Sequence, residues 1–250
     1  MAKYTDKNSY TIIFSVIMVV VVGSLLAGVA QGLKSKITLN ERFEKMQNIL
    51  YAMGVNENEG DGDVTFISTD KVEEVFNTNI KKQLVIQGDK VTEDHDAYLI
   101  DIKKEETKAK EDPNYQRRLP LFIGEKDGKT LYILPMRGKG LWDAIWGFVA
   151  IDKDLVVQGV FFDHAGETPG LGAEIKQRYF MDDFTGENIM DGNAFKGITV
   201  AKGNNDPLNE NKTDNKVDAI AGATITGDGV TAMIKKDVRL YLPYLKSLNQ

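Results

Sequence analysis

Thr224 stands in the stretch DAIAGATITGDGV, residues 218–230, among side chains too small to crowd its hydroxyl. A helix-like run follows, with a predicted start near Thr226 or Asp228, so a phosphate joined to the hydroxyl would sit by the positive end of a helix. The small neighbours, Gly222 and Ala223 among them, would let a modifying enzyme reach it. The plain alternative makes Thr226 or Asp228 an N-cap and Thr224 an ordinary loop residue. A second cluster, RGKGLWDAIWG at 137–147, holds both tryptophans of the chain. Leu141 and Trp142 beside paired glycines can cover a flat aromatic ligand while bare backbone approaches it, or the cluster is a hairpin turn with two core aromatics. The third, HAGETPGLG at 164–172, gathers Gly166, Gly170, Leu171 and Gly172 around Pro169. Its amides are accessible, and Glu167 and Thr168 could orient a ligand edge; otherwise it is a glycine–proline turn between strand and helix. Each cluster alone is weak evidence; three ligand-compatible loops in one chain are not.

Other chemistries have little to be built from. Cysteine is absent, so disulfides, iron–sulfur clusters and thiolate zinc sites are excluded within this chain. Only His95 and His164 are available for a nucleophile–histidine–acid triad or a His-rich metal site. A net charge of −6 provides no basic field for a polyphosphate backbone, and no nucleic-acid partner is expected. GEKDGKT at 124–130 places three residues between its glycines where a phosphate loop needs four, and no helix follows. No G-x-G-x-x-G follows a predicted strand, so the chain offers no dinucleotide fold.

The elements that must position the three loops begin with an apolar run. No residue between Lys7 and Lys34 is charged, and Tyr10 to Leu33 would span about 36 Å as a helix, enough to cross a bilayer. A cleaved signal peptide is the rival reading, but the run exceeds the usual apolar core of one. Gly23, Ser24, Ala27, Gly28 and Ala30 would let a neighbouring membrane helix approach, or merely tolerate lipid. Lys3 and Lys7 on one side and Lys34, Lys36, Arg42 and Lys45 on the other leave the orientation open. Leu39, Phe43, Met46, Ile49, Leu50 and Met53 then recur at helical spacing, with Gly54 as the stop. A further helix is predicted from about Thr69 to Thr78, and the mixed charges of Asp101 to Arg118 read as a solvated excursion. From Leu119 the pattern changes to strands and turns, with a hairpin signal at Asp127-Gly128, and a terminal helix closes the chain. Strand runs with helices set apart predict an α+β fold. The expected organisation is an N-terminal segment 1–9, a single transmembrane helix 10–33, a membrane-proximal helical region with a charged insertion 34–118, and a ligand-binding α+β domain 119–250.

DAIAGAT, with Asp218, Gly222, Ala223 and Thr224, resembles the motif at which a flavin transferase attaches FMN through a phosphoester to threonine. GKGLW and HAGETPGLG resemble the other two signatures of that FMN-binding domain, in matching order and spacing. With the N-terminal anchor and QNILYAMGV behind it, the chain resembles over nearly its whole length the NqrC family of sodium-translocating NADH:quinone oxidoreductases. The family commonly carries Gly where this chain has Ala219 and Ser or Thr where it has Ala221. The resemblance implies covalent FMN on Thr224, with Thr226 the nearby competitor. It implies ring-proximal packing by Leu141 and Trp142, a ring-edge loop of Glu167, Thr168, Gly170, Leu171 and Gly172, and an acceptor motif containing Asp218; Lys202 is a candidate phosphate contact. It further implies a cytoplasmic amino terminus in the bacterial inner membrane, an extracytoplasmic FMN-binding domain, a flavin transferase for maturation, and electron transfer among other membrane subunits that oxidise NADH, reduce quinone and export sodium. An autonomous flavin enzyme is disfavoured, since Glu167 and His164 are the only candidate acid/base pair and could as well be loop residues, and two alternatives remain. One is the FMN-domain component of the related electron-transport complex linking ferredoxin and NAD, against which GKGLWDAIWG and the insertion at 54–118 count. The other is a membrane-anchored binding or scaffold protein with a free Thr224.

Overall fold

The computed structural model describes residues 8–60, 62–203, 206 and 209–248. Lys3 and Lys7, on which the charge comparison across the anchor depends, lie outside them.

The chain divides into two units, Met1–Phe43 and Glu44–Gln250. Helix α1, Asn8–Ala52, runs without a break through the predicted anchor and the helix expected after it. Within the first unit its apolar side chains, Ile12 through Leu33, are exposed, which is consistent with a single-pass membrane anchor. Gly54 ends the helix as predicted. Its φ of 76° is the left-handed conformation that glycine adopts freely, and the amides of Gly54 and Val55 donate to Tyr51 O and Leu50 O.

The second unit is built on a six-stranded antiparallel sheet in the order β2-β1-β3-β4-β5-β6. Its strands are β1 (Ile80–Gln87), β2 (Lys90–Glu93), β3 (Leu119–Lys126), β4 (Lys129–Lys139), β5 (Ala144–Ile151) and β6 (Val157–His164). Asp127 and Gly128 both take positive φ between β3 and β4, the primed turn that Asp-Gly favours. The last turns of α1 bury Ile49, Leu50 and Ala52, Met53 directly after the helix is buried too, and a Cβ on Gly159 of β6 would lie 2.6 Å from Ala52 O. Helix α2, Val72–Asn79, falls where a helix was expected. The short α4 (Arg178–Asp182) and the β7–β8 ribbon (Met190–Asp191, Ala194–Phe195) precede the parallel pair β9 (Thr199–Ala201) and β10 (Lys216–Asp218).

Helix α5, Thr224–Ser247, closes the unit. Val230, Met233, Ile234, Val238, Tyr241, Leu242 and Leu245 recur at helical spacing and are buried. Buried Asp237 accepts from Arg137 N at 2.7 Å, and Tyr241 OH donates to Pro120 O at 3.0 Å, so polar bonds fix the helix against β3 and β4.

Two expectations are corrected. The strands do not begin at Leu119, because β1 pairs with β3 and carries the sheet back to Ile80. The stretch Asp101 to Arg118 is not a solvated excursion. It contains helix α3, Ile102–Glu111, capped by Asp101, and its Glu105 is buried. That carboxylate accepts from Tyr115 OH at 2.6 Å, Arg118 N at 3.0 Å, Arg118 Nη2 at 2.8 Å and Arg118 Nε at 3.1 Å. Burial opposes the charge, but these hydrogen bonds outweigh it and hold the carboxyl at about 2. An ion pair, rather than apolar residues, therefore secures this segment.

Candidate functional site

The three small-residue clusters converge on the amino-terminal end of α5, and Glu167 joins them. Its side chain is buried. One carboxylate oxygen, Oε1, accepts from Trp142 N at 2.9 Å and Asp143 N at 3.4 Å; Oε2 accepts from Leu141 N at 3.3 Å and from the Thr226 hydroxyl at 2.6 Å. Burial would raise its pKa, but the Thr226 hydroxyl and the three amides lower it below the ordinary carboxylate value. Glu167 was expected to orient a ligand edge; its oxygens instead turn inward and tie loop 140–143, loop 164–172 and α5 together.

That knot explains two glycines. A Cβ on Gly140 would lie 2.6 Å from Glu167 Oε1, and one on Gly172 would collide with Oε2 and with the Thr226 hydroxyl. Gly222 serves another purpose: its φ of 75° turns the chain into α5, and a Cβ there would press on Leu171.

Helix α5 starts at Thr224, two residues before the earliest predicted start. Neither Thr226 nor Asp228 caps it; Thr226 is spent on Glu167, and Ala223 occupies the N-cap without a side-chain bond. The amides of the first turn thus have no side-chain cap, at the positive end of the helix. Thr224 is exposed there, whereas Thr226 is only 1% exposed.

The rim is apolar. Leu141, Trp142, Leu171 and Ile225 are 45%, 67%, 41% and 56% exposed, more than lone surface residues of this size need be. Trp142 is nonetheless oriented, because its indole Nε1 donates to Thr168 Oγ1 at 3.2 Å. Gly170 is exposed, and its amide donates to Glu174 Oε1 at 2.8 Å. Asp218 is half-buried at the end of β10, opposite Ala201, and Lys202 is exposed just after β9. Trp146 lies on β5, opposite Arg137 and Asp163, away from this rim. Ile225 is not singled out by the sequence analysis, although its place directly after Thr224 is the available signal.

An exposed hydroxyl beside an uncapped helix start, with an apolar rim and one oriented indole, suits the phosphate and the flat ring of FMN. The FMN-binding domain family matches residues 140–238, which contain the clusters at 164–172 and 218–230 and all of the first from Gly140 onward. The NqrC protein of the Na(+)-translocating NADH-quinone reductase of Yersinia pestis is 31% identical over 91% of this chain and 87% of that protein. Its counterpart from Neisseria meningitidis serogroup A is 30% identical over 99% and 98%. The chain belongs to this NqrC family. Among solved structures, the family member from Parabacteroides distasonis superposes with a TM-score of 0.71 at 31% identity, covering 85% of this chain and 96% of that one. NqrC of Shewanella oneidensis gives 0.63 at 25% identity over 83% and 99%. As a member of this family, the chain is one component of a sodium-translocating NADH-quinone reductase and works with other subunits of that assembly.

Proposed function

We propose that Thr224 carries FMN through a phosphoester and that this subunit passes electrons between redox centres of the reductase. The observation that carries the reading is the contrast between the two threonines. Thr224 is exposed at the uncapped start of α5, while Thr226 is buried and donates its hydroxyl to Glu167.

The flavin supplies the electron-transfer chemistry, and the residues bind and place it. The amides of the first α5 turn, which no side chain caps, would hold the ester phosphate. Trp142, fixed by Thr168, joins Leu141, Leu171 and Ile225 in an apolar bed that excludes water from one side of a ring. Gly170, exposed and with open space around it, lets backbone come close to it, Gly172 makes room for the Glu167–Thr226 contact behind it, and Asp218, Gly222 and Ala223 shape the turn that presents Thr224. Glu167 is a positioning residue rather than a ligand contact. A flavin transferase would mature the protein outside the cytoplasm, with the amino terminus of α1 cytoplasmic and the domain facing outward.

Production with a flavin transferase in a bacterial envelope, followed by denaturing electrophoresis and in-gel flavin fluorescence, tests the reading. Wild type and Thr226→Ala should fluoresce and Thr224→Ala should not. A dark, folded wild type would leave an anchored binding protein in place of a flavoprotein, and loss only in Thr226→Ala would move the site.

A further inference from the structure

A groove of about 690 Å³ opens beside Trp142, bounded by α3, by the end of the β4–β5 hairpin and by α5. Its charged lining is Lys103, Lys110, Arg137, Lys139 and Lys236 against Glu106 and Asp143. Lys236 is already engaged: it donates to Glu106 Oε1 at 2.6 Å and to Arg137 O at 2.7 Å, and it lies 3.4 Å from Asp237 Oδ1. Glu106 is further drawn to Arg117 at 3.7 Å, and Asp143 accepts from the Ala144 amide at 2.6 Å. The side chains of Lys103, Lys110, Arg137 and Lys139 have no ion partner among the described residues. Four unpaired cations in one groove contrast with the net charge of −6 of the whole chain.

Their arrangement sets the kind of anion that fits. Lys103 and Lys110 are seven residues apart, so they share one face of α3 and stand about 10 Å apart along it. Arg137 and Lys139 are two apart on β4 and share a strand face. Two rows of two cations thus flank the groove, too widely spaced for a single phosphate and suited to several carboxylates along a chain. A concave groove encloses a segment, whereas a flat bilayer surface would meet only its rim.

We infer that this groove docks an acidic segment of another subunit of the reductase, and so brings that subunit's redox centre to the Trp142 side of the flavin. Electron-transfer encounters of modest area depend on such complementary charge for rate and register. The location beside the ring rests on the flavin reading above; the docking itself does not.

The test uses the complete reductase with wild-type chain or the double variant Lys103→Glu/Lys110→Glu, both exposed positions on α3 outside the flavin rim. NADH-driven turnover of the Thr224-linked flavin is followed by stopped flow over a series of ionic strengths, beside in-gel flavin fluorescence. The expected result is unchanged fluorescence, a tenfold or greater slowing of flavin reduction or reoxidation at low salt, and a salt dependence that is falling in wild type and flat or inverted in the variant. Carbodiimide cross-linking of the wild-type complex should join Lys103, Lys110 or Lys139 to Asp or Glu of another subunit. Unchanged rates and salt dependence, or cross-links confined to this chain, would overturn the inference. So would a rate effect that appears in anionic-lipid vesicles and vanishes in zwitterionic ones, which would assign the groove to the membrane. If neither protein fluoresces, the flavin reading fails, and the cross-links still decide the docking.

Discussion

Glu187 should make the second unit less stable as pH rises, and Glu187→Gln should remove that dependence. Its side chain is fully buried, with Oε1 accepting from Asn209 Nδ2 at 3.2 Å. Its other oxygen, Oε2, is buried without a hydrogen-bond partner among the described residues, and so is Asn209 Oδ1. One proton on Oε2 would donate to Asn209 Oδ1, close an acid–amide ring and satisfy both atoms. Burial pushes the carboxyl up from 4.5 to about 7; the Asn209 bond and Lys212 oppose the rise, and Asp214 and Asp206 add to it. The folded state therefore holds a proton that the unfolded chain has released. The stabilisation is complete below about pH 4.5 and is lost as pH rises through about 7. The shift of roughly 2.5 pH units corresponds to about 3 kcal/mol.

Glutamine keeps the accepting oxygen and offers a permanent N–H to Asn209 Oδ1, mimicking the protonated acid at every pH. Thermal melting of the detergent-solubilised chain, followed by near-ultraviolet circular dichroism, should show wild type and variant close together at pH 4.5. At pH 8 the variant should melt higher by about 6 to 12 °C, given about 2 to 4 °C per kcal/mol for a unit of this size. A melting difference that is the same at both pH values would refute the reasoning, because the carboxyl would then not be the group that holds the proton.

Other expectations follow from the same contacts. Glu167→Gln presents an amide N–H₂ to backbone donors and should cost about 2 kcal/mol or more in urea denaturation, while Thr224 flavinylation persists at reduced yield. Gly172→Ala drives a methyl into Glu167 and Thr226 and should destabilise by about 1 to 3 kcal/mol, with a shifted flavin absorption spectrum if the rim moves. Glu105, held at about 2, stabilises the fold above about pH 4.5 and loses that contribution as pH falls toward 2. Glu105→Gln should flatten the acid limb of the stability profile; an unchanged acid midpoint would show that the Arg118 pair contributes little there.

Much of the fold is legible where backbone geometry demands a residue type. Asp127-Gly128 announces a primed turn and Gly54 a helix stop, and the uncharged run before Lys34 announces an apolar helix. Strand β1 is harder to read, because IKKQLVIQ buries Gln83, Leu84, Val85 and Ile86 in succession and so does not alternate. Helix α3 is obscured because a carboxylate, not an apolar stripe, is its buried group. The three loops of the candidate site are visible as small-residue clusters, but what joins them is not. Glu167 in a Gly–Pro loop looks like a surface acid, and only the fold turns it toward Leu141, Trp142, Asp143 and Thr226. The early start of α5 has the same cause, since the hydroxyl that could have capped the helix is taken by Glu167.

The most direct test of the central claim is peptide mapping of the mature protein. Trypsin cleavage after Lys216 and Lys235 yields the fragment Val217 to Lys235, which contains Thr224, Thr226 and Thr231. Fragmentation mass spectrometry should find this peptide heavier by one esterified FMN and place the addition on Thr224. An unmodified peptide from a fluorescent protein, or an addition on Thr226 or Thr231, would contradict the account.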